Sequence, residues 1–510
     1  MTAAEQPKPT TRDSEFLRDI GQQQHFIDGD FRPSVSGKTF ATHDPISNDV
    51  IAQASAGETR DIEAAVAAAR RAFDQGPWSE TTAADRAIVL RKIADLIRRD
   101  AQEFIALECL DIGMPISQMK GLAARAAENF DYFAKIIEEL AGKAWQTGNF
   151  LNYSVHKPVG VAGLIMPWNA PLMLSTWRIA PCLAAGNTIV LKPAEWSPLT
   201  ATRLAKLMSE AGLPDGVFNV VHGFGEEAGA PLSAHEGVDL ICFTGETKTG
   251  ETIMAAGAPT LKRSSFELGG KSPVVVFDDA DADFDRLVDA VVFQIFSMNG
   301  QRCTAGARLL VQEGLYSRLV DAVAERARAL TVGDPFDPST ELGPLIGPEH
   351  HSRVSEFIEE ARADGGRIVA GGSRPDALPD GNFLEPTVIA DVTPEMRVFR
   401  EEIFGPVLVA MSFSDEAEAI ELANATKYGL AAYVWTQDIK RGHRVAQAID
   451  VGLCWINSQN VRDLRTPFGG VKGSGIGREG GEYSFEFYCE QEAIHVSLGE
   501  HRIPRLGVPD

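Results

Sequence analysis

The alternation of hydrophobic and polar positions becomes regular at Glu58. From there Ile62, Val66, Ala69 and Phe73 recur at helical spacing, which predicts an amphipathic helix with those residues facing inward. A second such stretch runs from Asp85 to Arg99 and a third from Ala123 to Glu139. The period then shortens. GVAGLIMP (160 to 167), NTIVLKP (187 to 193), GVFNVVHG (216 to 223), VDLICFTG (238 to 245) and SPVVVF (272 to 277) read as short buried strands, with helical stretches such as Ser197 to Ala211 between them. Strands alternating with crossover helices imply an α/β fold whose parallel sheet is covered by helices on both faces. A second alternating series follows Asp283, with strands expected at 308 to 311, 407 to 413, 430 to 435 and 452 to 457. The break between the two units is expected near 280, at DDADADFD. Residues 1 to 20 are polar and read as an N-terminal arm. NYSVHKPVG (152 to 160) and EFYCEQEAIHVSL read as outlying strands, which either return to their own sheet or pair with a neighbouring chain.

Composition narrows the partners. A chain of 510 residues is long enough for more than one core, and 44% hydrophobic with 23% charged residues is ordinary for a globular protein. A net charge of −23 repels phosphate backbones and anionic membranes, so neither nucleic acid nor a membrane is an expected partner. The six cysteines (109, 182, 242, 303, 454 and 489) lie far apart, without a CxxC pair or a Cys/His cluster, so no metal site is expected. The N-terminus has no apolar core of a signal peptide, and a reduced, cytoplasmic protein is expected.

Several short stretches then stand out as chemistry. FSMNGQRCTAGARLLV (296 to 311) frames Cys303 with Gly300, Thr304 and Gly306, unlike a buried structural cysteine. MPWNAP sets Asn169 between two prolines just past a strand, which suits either a rigid oxyanion donor or a turn. In LKPAE, Lys192 and Glu195 are spaced to hold two ribose hydroxyls, or to form a solvated loop. FTGETKTG feeds a strand into a glycine-bounded turn and a helix whose free N–H groups suit a pyrophosphate. GFGEEAG, containing Gly225, resembles a dinucleotide loop with the wrong spacing. In SFELGGKSP, Glu267 is either a desolvated general base or the partner of Lys271 in an ion pair.

Taken in order, PWN, LKPAE, FTGETKTG, FELGGKSP, GQRC, EEIFGPV (401 to 407) and PFGGVKGSGIGREGG (467 to 481) resemble the NAD(P)-dependent aldehyde dehydrogenase superfamily over roughly residues 25 to 500. The resemblance implies a Rossmann-type NAD-binding domain (21 to 149 and 161 to 279), an α/β catalytic domain (280 to 484), and oligomerisation strands with a tail (150 to 160 and 485 to 510). It implies a homodimer or homotetramer acting on a small-molecule aldehyde. Cys303 is then the nucleophile, Glu267 activates water, and Asn169 with the Cys303 N–H holds the oxyanion. NAD is expected to lie against Ile165, Trp168, Lys192, Glu195, Gly225, Gly245, Glu246, Glu402 and Phe404, and Glu195 favours NAD over NADP. FTGET departs from the family in having Glu246 where serine is frequent, and STWRIAP has Arg178 where lysine is usual. Arginine holds its proton too tightly for a relay at 178, which leaves an electrostatic role.

NSQNVRDLRTPFGG (457 to 470) is similar to the family branch that oxidises semialdehydes from aromatic ring cleavage. Arg125, Arg462 and Arg465 match tunnel positions, where guanidinium forks would grip a carboxylated substrate. The competing expectation for these arginines is an internal ion pair, for example with Asp463. A broad-specificity aldehyde dehydrogenase and a non-redox cysteine acyl-hydrolase remain open as alternatives.

Overall fold

The computed structural model describes residues 11, 12, 14 to 18 and 20 to 507. Of the expected arm, residues 1 to 10, 13 and 19 lie outside the described residues, as do 508 to 510 of the tail; Glu15–Arg18 forms one helical turn.

Two large sheets organise the chain. The first has eight strands, in the order Gly475–Ile476, Arg263–Glu267, Leu240–Thr244, Val161–Ile165, Thr188–Lys192, Phe218–Val220, His25–Ile27 and Asp30–Arg32. Its five central strands are parallel, and the flanking ones run antiparallel. Val161–Ile165 and Thr188–Lys192 are buried along their whole length, as their unbroken apolar runs predict for a sheet covered on both faces. The crossover helix Pro171–Ala185 begins with proline at its first position and ends at Gly186, where a φ of 96° suits only glycine without strain. The second sheet has seven strands, in the order Arg367–Ala370, Thr387–Ala390, Val407–Phe413, Arg308–Gln312, Pro273–Val276, Ala431–Trp435 and Leu453–Ile456. A separate three-stranded sheet joins Cys489–Ser497, Phe150–Pro158 and Ala144–Thr147. The two outlying strands therefore pair with each other rather than returning to either large sheet.

The division near 280 needs correcting. Pro273–Val276 pairs with Arg308–Gln312 and Ala431–Trp435, so the chain has already crossed to the second sheet by residue 273. In the opposite direction, Gly475–Ile476 returns to the first sheet and pairs with Phe266 and Glu267. Both crossings escaped the sequence reading because apolar strands from either sheet look alike, and because a two-residue strand rich in glycine has no periodicity.

The carboxyl ends of parallel strands are where open α/β sheets bind ligands. In the first sheet those ends carry Ile165, Lys192, Thr244 and Glu267.

Candidate active site

Cys303 follows the helix Phe284–Phe296 through an unusual turn. Met298, Asn299 and Gly300 have successive φ values of 55°, 56° and 67°. Asn299 stabilises this left-handed run by donating from Nδ2 to the carbonyls of Gly113 (2.9 Å) and Pro344 (3.0 Å), while its Oδ1 accepts from Gly343 N–H at 2.7 Å. A Cβ on Gly300 would lie 2.3 Å from the Gly405 carbonyl carbon, and one on Gly306 would lie 2.6 Å from Val274. The glycines framing Cys303 are therefore required by close chain packing. Open space around the thiol is a separate matter, and Cys303 is partly exposed.

Two cavities share Cys303, Glu267, Asn169, Thr244 and Leu174 in their walls. One continues past Trp168, Gly245, Glu246, Glu402 and Phe404. The other continues past Arg125, Trp177, Met298, Asn460, Arg462 and Phe468. Cys303, Glu267 and Asn169 thus stand where two binding spaces meet, a placement suited to an enzyme that brings two molecules together at a nucleophile.

The electrostatics of the junction are dominated by burial. Burial pushes the Glu267 carboxyl up to about 7, with Arg178 opposing the shift and Glu479 adding to it. Glu267 Oε2 has no hydrogen-bond partner among the described residues. The Glu267–Lys271 ion pair does not form; burial instead lowers Lys271 to about 7, beside Arg308 and Glu402. Burial, followed by the charges of Glu267 and Glu402, pushes the Cys303 thiol up to about 12, against Arg462 and Arg302. The resting site therefore favours a neutral thiol beside a carboxyl able to exchange its proton near neutrality. Asn169 is 5% exposed and donates from Nδ2 to the Gln301 carbonyl at 2.9 Å, two residues from the thiol.

The first cavity brings together Trp168, Gly245, Glu246, Glu402 and Phe404 of the sequence expectations. Glu402 Oε1 accepts from the Gly270 N–H at 2.8 Å, and burial raises its carboxyl to about 7. Trp168 meets Phe404 edge-on, with ring centroids 5.4 Å apart. Glu246 is the exposed N-cap of the helix Thr247–Gly257 and makes no side-chain cap, so first-turn N–H groups remain available beside the cavity. Lys192 and Glu195 lie outside the cavity wall and pair with each other at 2.8 Å. Ile165 and Gly225 lie outside it as well, and a Cβ on Gly225 would meet nothing within 4 Å. Trp196, His350 and Arg353 also line this space; no local sequence signal marks them.

In the second cavity Arg462 is partly exposed, with its guanidinium 3.7 Å from the Phe468 ring centroid and 5.6 Å from that of Trp177. Among the described residues no carboxylate pairs with it, and burial lowers it to about 10, with Arg125 contributing to the shift. Arg125 pairs with the exposed Glu128, at 3.4 Å. Arg465 corrects the sequence expectation: it lies outside the cavity wall, 78% exposed, and forks onto Asp463 at 2.6 Å. Two residues of separation let that pair close locally, on the solvent side. Arg178 also lines the cavity, with Nη1 donating to Ser265 Oγ at 2.8 Å and pairing with buried Glu479, while its Nη2 has no hydrogen-bond partner among the described residues.

A thiol, a buried carboxyl and a fixed amide line the junction of two cavities, one beside a parallel-sheet ligand edge, an arrangement suited to an enzyme of two substrates. The chain belongs to the aldehyde dehydrogenase family, whose description matches residues 31–494. It is 47% identical to 5-carboxymethyl-2-hydroxymuconate semialdehyde dehydrogenase of Escherichia coli, over 90% of this chain and 98% of that one. Among solved structures it is similar to HpcC from Thermus thermophilus, with 51% identity, a TM-score of 0.94 and 97% of both chains covered. An NAD+ complex of aldehyde dehydrogenase from Bacillus cereus is 43% identical, with a TM-score of 0.92, covering 95% of this chain and 98% of that one. Among the described residues no helix is long and apolar enough to cross a membrane, and no group of three or more His, Cys, Asp or Glu is placed to hold a metal ion.

Proposed function

We propose that this chain oxidises a carboxylated muconic semialdehyde, of the 5-carboxymethyl-2-hydroxymuconate type, to the carboxylic acid with NAD. The observation that carries the substrate class is Arg462: a partly exposed guanidinium lying against two aromatic rings, without a carboxylate partner among the described residues, in the cavity that ends at Cys303. A partly desolvated cation without a counter-ion is stabilised by a ligand that supplies one. Arg125 adds a second cation in the same wall.

The first cavity fits NAD. A Cβ on Gly269 would overlap Glu402 Oε2 at 2.2 Å, and one on Gly245 the Phe243 ring at 2.5 Å, so both glycines let the chain pack closely at the cavity wall and keep Glu402 in place there. The uncapped start of Thr247–Gly257 suits a pyrophosphate. Lys192 and Glu195 would hold the adenosine ribose, with Ile165, Trp168 and Gly225 along that path. Gly245 and Glu246 would lie at the pyrophosphate, and Glu402 with Phe404 at the nicotinamide ribose. NAD, when bound, supplies the acceptor for the hydride.

The chain's own residues carry the rest. The Cys303 sulfur gives up its proton to solvent, which the partly exposed thiol can reach, and attacks the aldehyde carbonyl carbon; the C=O π bond becomes an oxyanion that Asn169 Nδ2 and the Cys303 N–H would hold. Loss of hydride from that thiohemiacetal leaves a thioester on Cys303. Glu267 then takes a proton from water, which attacks the thioester, releasing the acid and restoring the thiol. Glu195 would repel a 2′-phosphate, which favours NAD over NADP. Two oligomerisation elements, 150 to 160 and 485 to 510, belong to the same reading, as a homodimer or homotetramer.

The test is NADH formation on 5-carboxymethyl-2-hydroxymuconate semialdehyde beside benzaldehyde, each with NAD and with NADP. A large kcat/KM advantage for the carboxylated substrate with NAD supports the reading. Equal rates on both aldehydes would reduce it to a broad-specificity enzyme, and ester cleavage without any NADH signal would leave only an acyl-hydrolase.

A further inference from the structure

The helix Pro171–Ala185 starts two residues after Asn169, and its own sequence cannot cap it. Its N-cap is Ala170, which has no side-chain acceptor, and proline at the first position has no N–H. Leu172 is therefore the first residue of the helix with a backbone donor, and that donor meets a carboxyl from elsewhere. Glu108, fully buried on the helix Ala101–Ile112, accepts from the Leu172 N–H through Oε1 at 2.6 Å. Three residues on, Asp111 does the same for the helix Leu199–Ala211, accepting from the Leu199 N–H at 3.1 Å. That helix has Pro198 at its N-cap and again no side-chain cap. Residues three apart share a helix face. One face of Ala101–Ile112 thus fastens the first turns of two helices, those that follow the Asn169 loop and the Lys192–Glu195 loop.

Glu108 is an uneconomical way to hold a fold together. It has no exposed surface, and its Oε2 makes no hydrogen bond of normal geometry among the described residues. Burial pushes its carboxyl up to about 7, against the Leu172 N–H and the nearby Thr200 hydroxyl. An enclosed carboxyl with one oxygen poorly paired destabilises unless its other oxygen meets a need that an apolar side chain cannot. Here the need is the orphan N–H at the root of the segment that aims Asn169. Asn169 Nδ2 must point at the oxygen that becomes an oxyanion above Cys303, and loss of the cap frays the turn anchoring that segment.

We infer that Glu108 is a positioning residue for Asn169, acting as a borrowed N-cap that holds the oxyanion-donating amide in line with Cys303. The inference rests on the reading of Asn169 as the oxyanion donor, and it adds a residue distant in sequence from every motif of the site.

The experiment is a double-mutant cycle in the full-length enzyme with saturating NAD: Glu108→Ala, Glu108→Gln, Asn169→Ala, and Glu108→Ala combined with Asn169→Ala. Glu108→Ala is expected to lower kcat/KM for the aldehyde by about tenfold or more, the scale of a displaced catalytic group. Glu108→Gln, which keeps an oxygen acceptor at the same reach, should restore most of that loss. In the Asn169→Ala background, Glu108→Ala should cause little further loss, and the Kd for NAD, read by protein fluorescence, should match the parent in both Glu108 variants. If Glu108→Ala does not fold, Glu108→Asp, which withdraws the carboxyl by one methylene, takes its place in the cycle. Fully multiplicative losses, or a Glu108→Gln enzyme as slow as Glu108→Ala, overturn the inference. An Asn169→Ala enzyme with undiminished kcat/KM would instead overturn the reading of Asn169 itself, an outcome the cycle keeps separate.

Discussion

Arg178 and Glu479 form an ion pair sealed in the protein interior, with side chains 1% and 0% exposed, and Ser265 Oγ accepts a hydrogen bond from Arg178 at 2.8 Å. The pair lies behind Glu267 and acts on it with opposite signs: Arg178 draws the Glu267 carboxyl down and Glu479 pushes it up, on top of the larger upward effect of burial. Glu267 is thereby left to titrate at about 7, where a general base is most useful.

Arg178→Gln follows from this arrangement. It removes the cation of the pair and leaves Glu479 unpaired, so the two largest remaining influences, burial and Glu479, both raise Glu267. With Glu267 as the proposed base, which works deprotonated, activity should rise with pH through the Glu267 pKa. The acidic limb of the kcat profile should therefore move to higher pH in the variant, with the greatest loss below neutrality and recovery in alkali. Thermal unfolding should show a penalty of about 3–5 kcal/mol, typical of orphaning one member of a buried pair. Arg178→Lys keeps the charge and should leave the limb close to its parent position. A limb that stays fixed in Arg178→Gln would mean that Glu267 does not set the profile.

Glu267→Gln separates two roles for the carboxyl. Its charge holds the Cys303 thiol up, so removing it makes the thiolate easier to form. Alkylation of Cys303 by iodoacetamide should be faster in the variant at the same pH. Hydrolysis of the thioester should meanwhile nearly stop, giving a burst of about one NADH per subunit and then slow turnover. Slower alkylation would show instead that Glu267 deprotonates the thiol directly.

Much of the fold was legible because both sheets use strands buried on two faces. Unbroken apolar runs such as Leu240–Thr244 and Ala431–Trp435 announce themselves without any knowledge of their partners. The assignment of Pro273–Val276 to its sheet was not legible, since its composition carries no trace of which neighbour it pairs with. At the site, local glycine and proline chemistry marked Cys303, Glu267 and Asn169 as candidates but left a turn open for Asn169 and an ion pair for Glu267; the family resemblance gave them their expected roles, and all three line both cavities. Arg465 could not be told from Arg462 by the same means. Both sit in one polar loop, and only folding turns Arg462 onto Phe468 and Arg465 onto Asp463. Glu108 and Glu479 were invisible for a related reason: each acts on a partner more than sixty positions away.

That loop makes a sharp comparison possible. Arg462→Ala should raise KM for a carboxylated semialdehyde by roughly 10- to 100-fold, the range for losing a charge-assisted pair, and leave benzaldehyde nearly unaffected. Arg465→Ala removes an exposed local pair and should change neither substrate appreciably. Equal losses on both aldehydes in Arg462→Ala would point to its packing on Trp177 and Phe468 rather than to its charge.

Cofactor recognition offers two substitutions of opposite expected sign. Glu195 pairs with Lys192 across 2.8 Å and keeps its carboxylate partly exposed, where it can accept from ribose hydroxyls and repel a 2′-phosphate. Glu195→Ser should weaken NAD and improve NADP, bringing the two kcat/KM values closer by about tenfold or more. Glu246 presents a second carboxylate at the N-terminus of Thr247–Gly257, where it favours the helix dipole but opposes a pyrophosphate approaching the same N–H groups. Glu246→Ser removes the competing charge and offers a hydroxyl donor, so the Kd for NAD, measured by fluorescence titration, should fall several-fold, most clearly at low salt. A weaker Kd in Glu246→Ser would mean that the Glu246 carboxylate helps to hold the dinucleotide rather than repelling it.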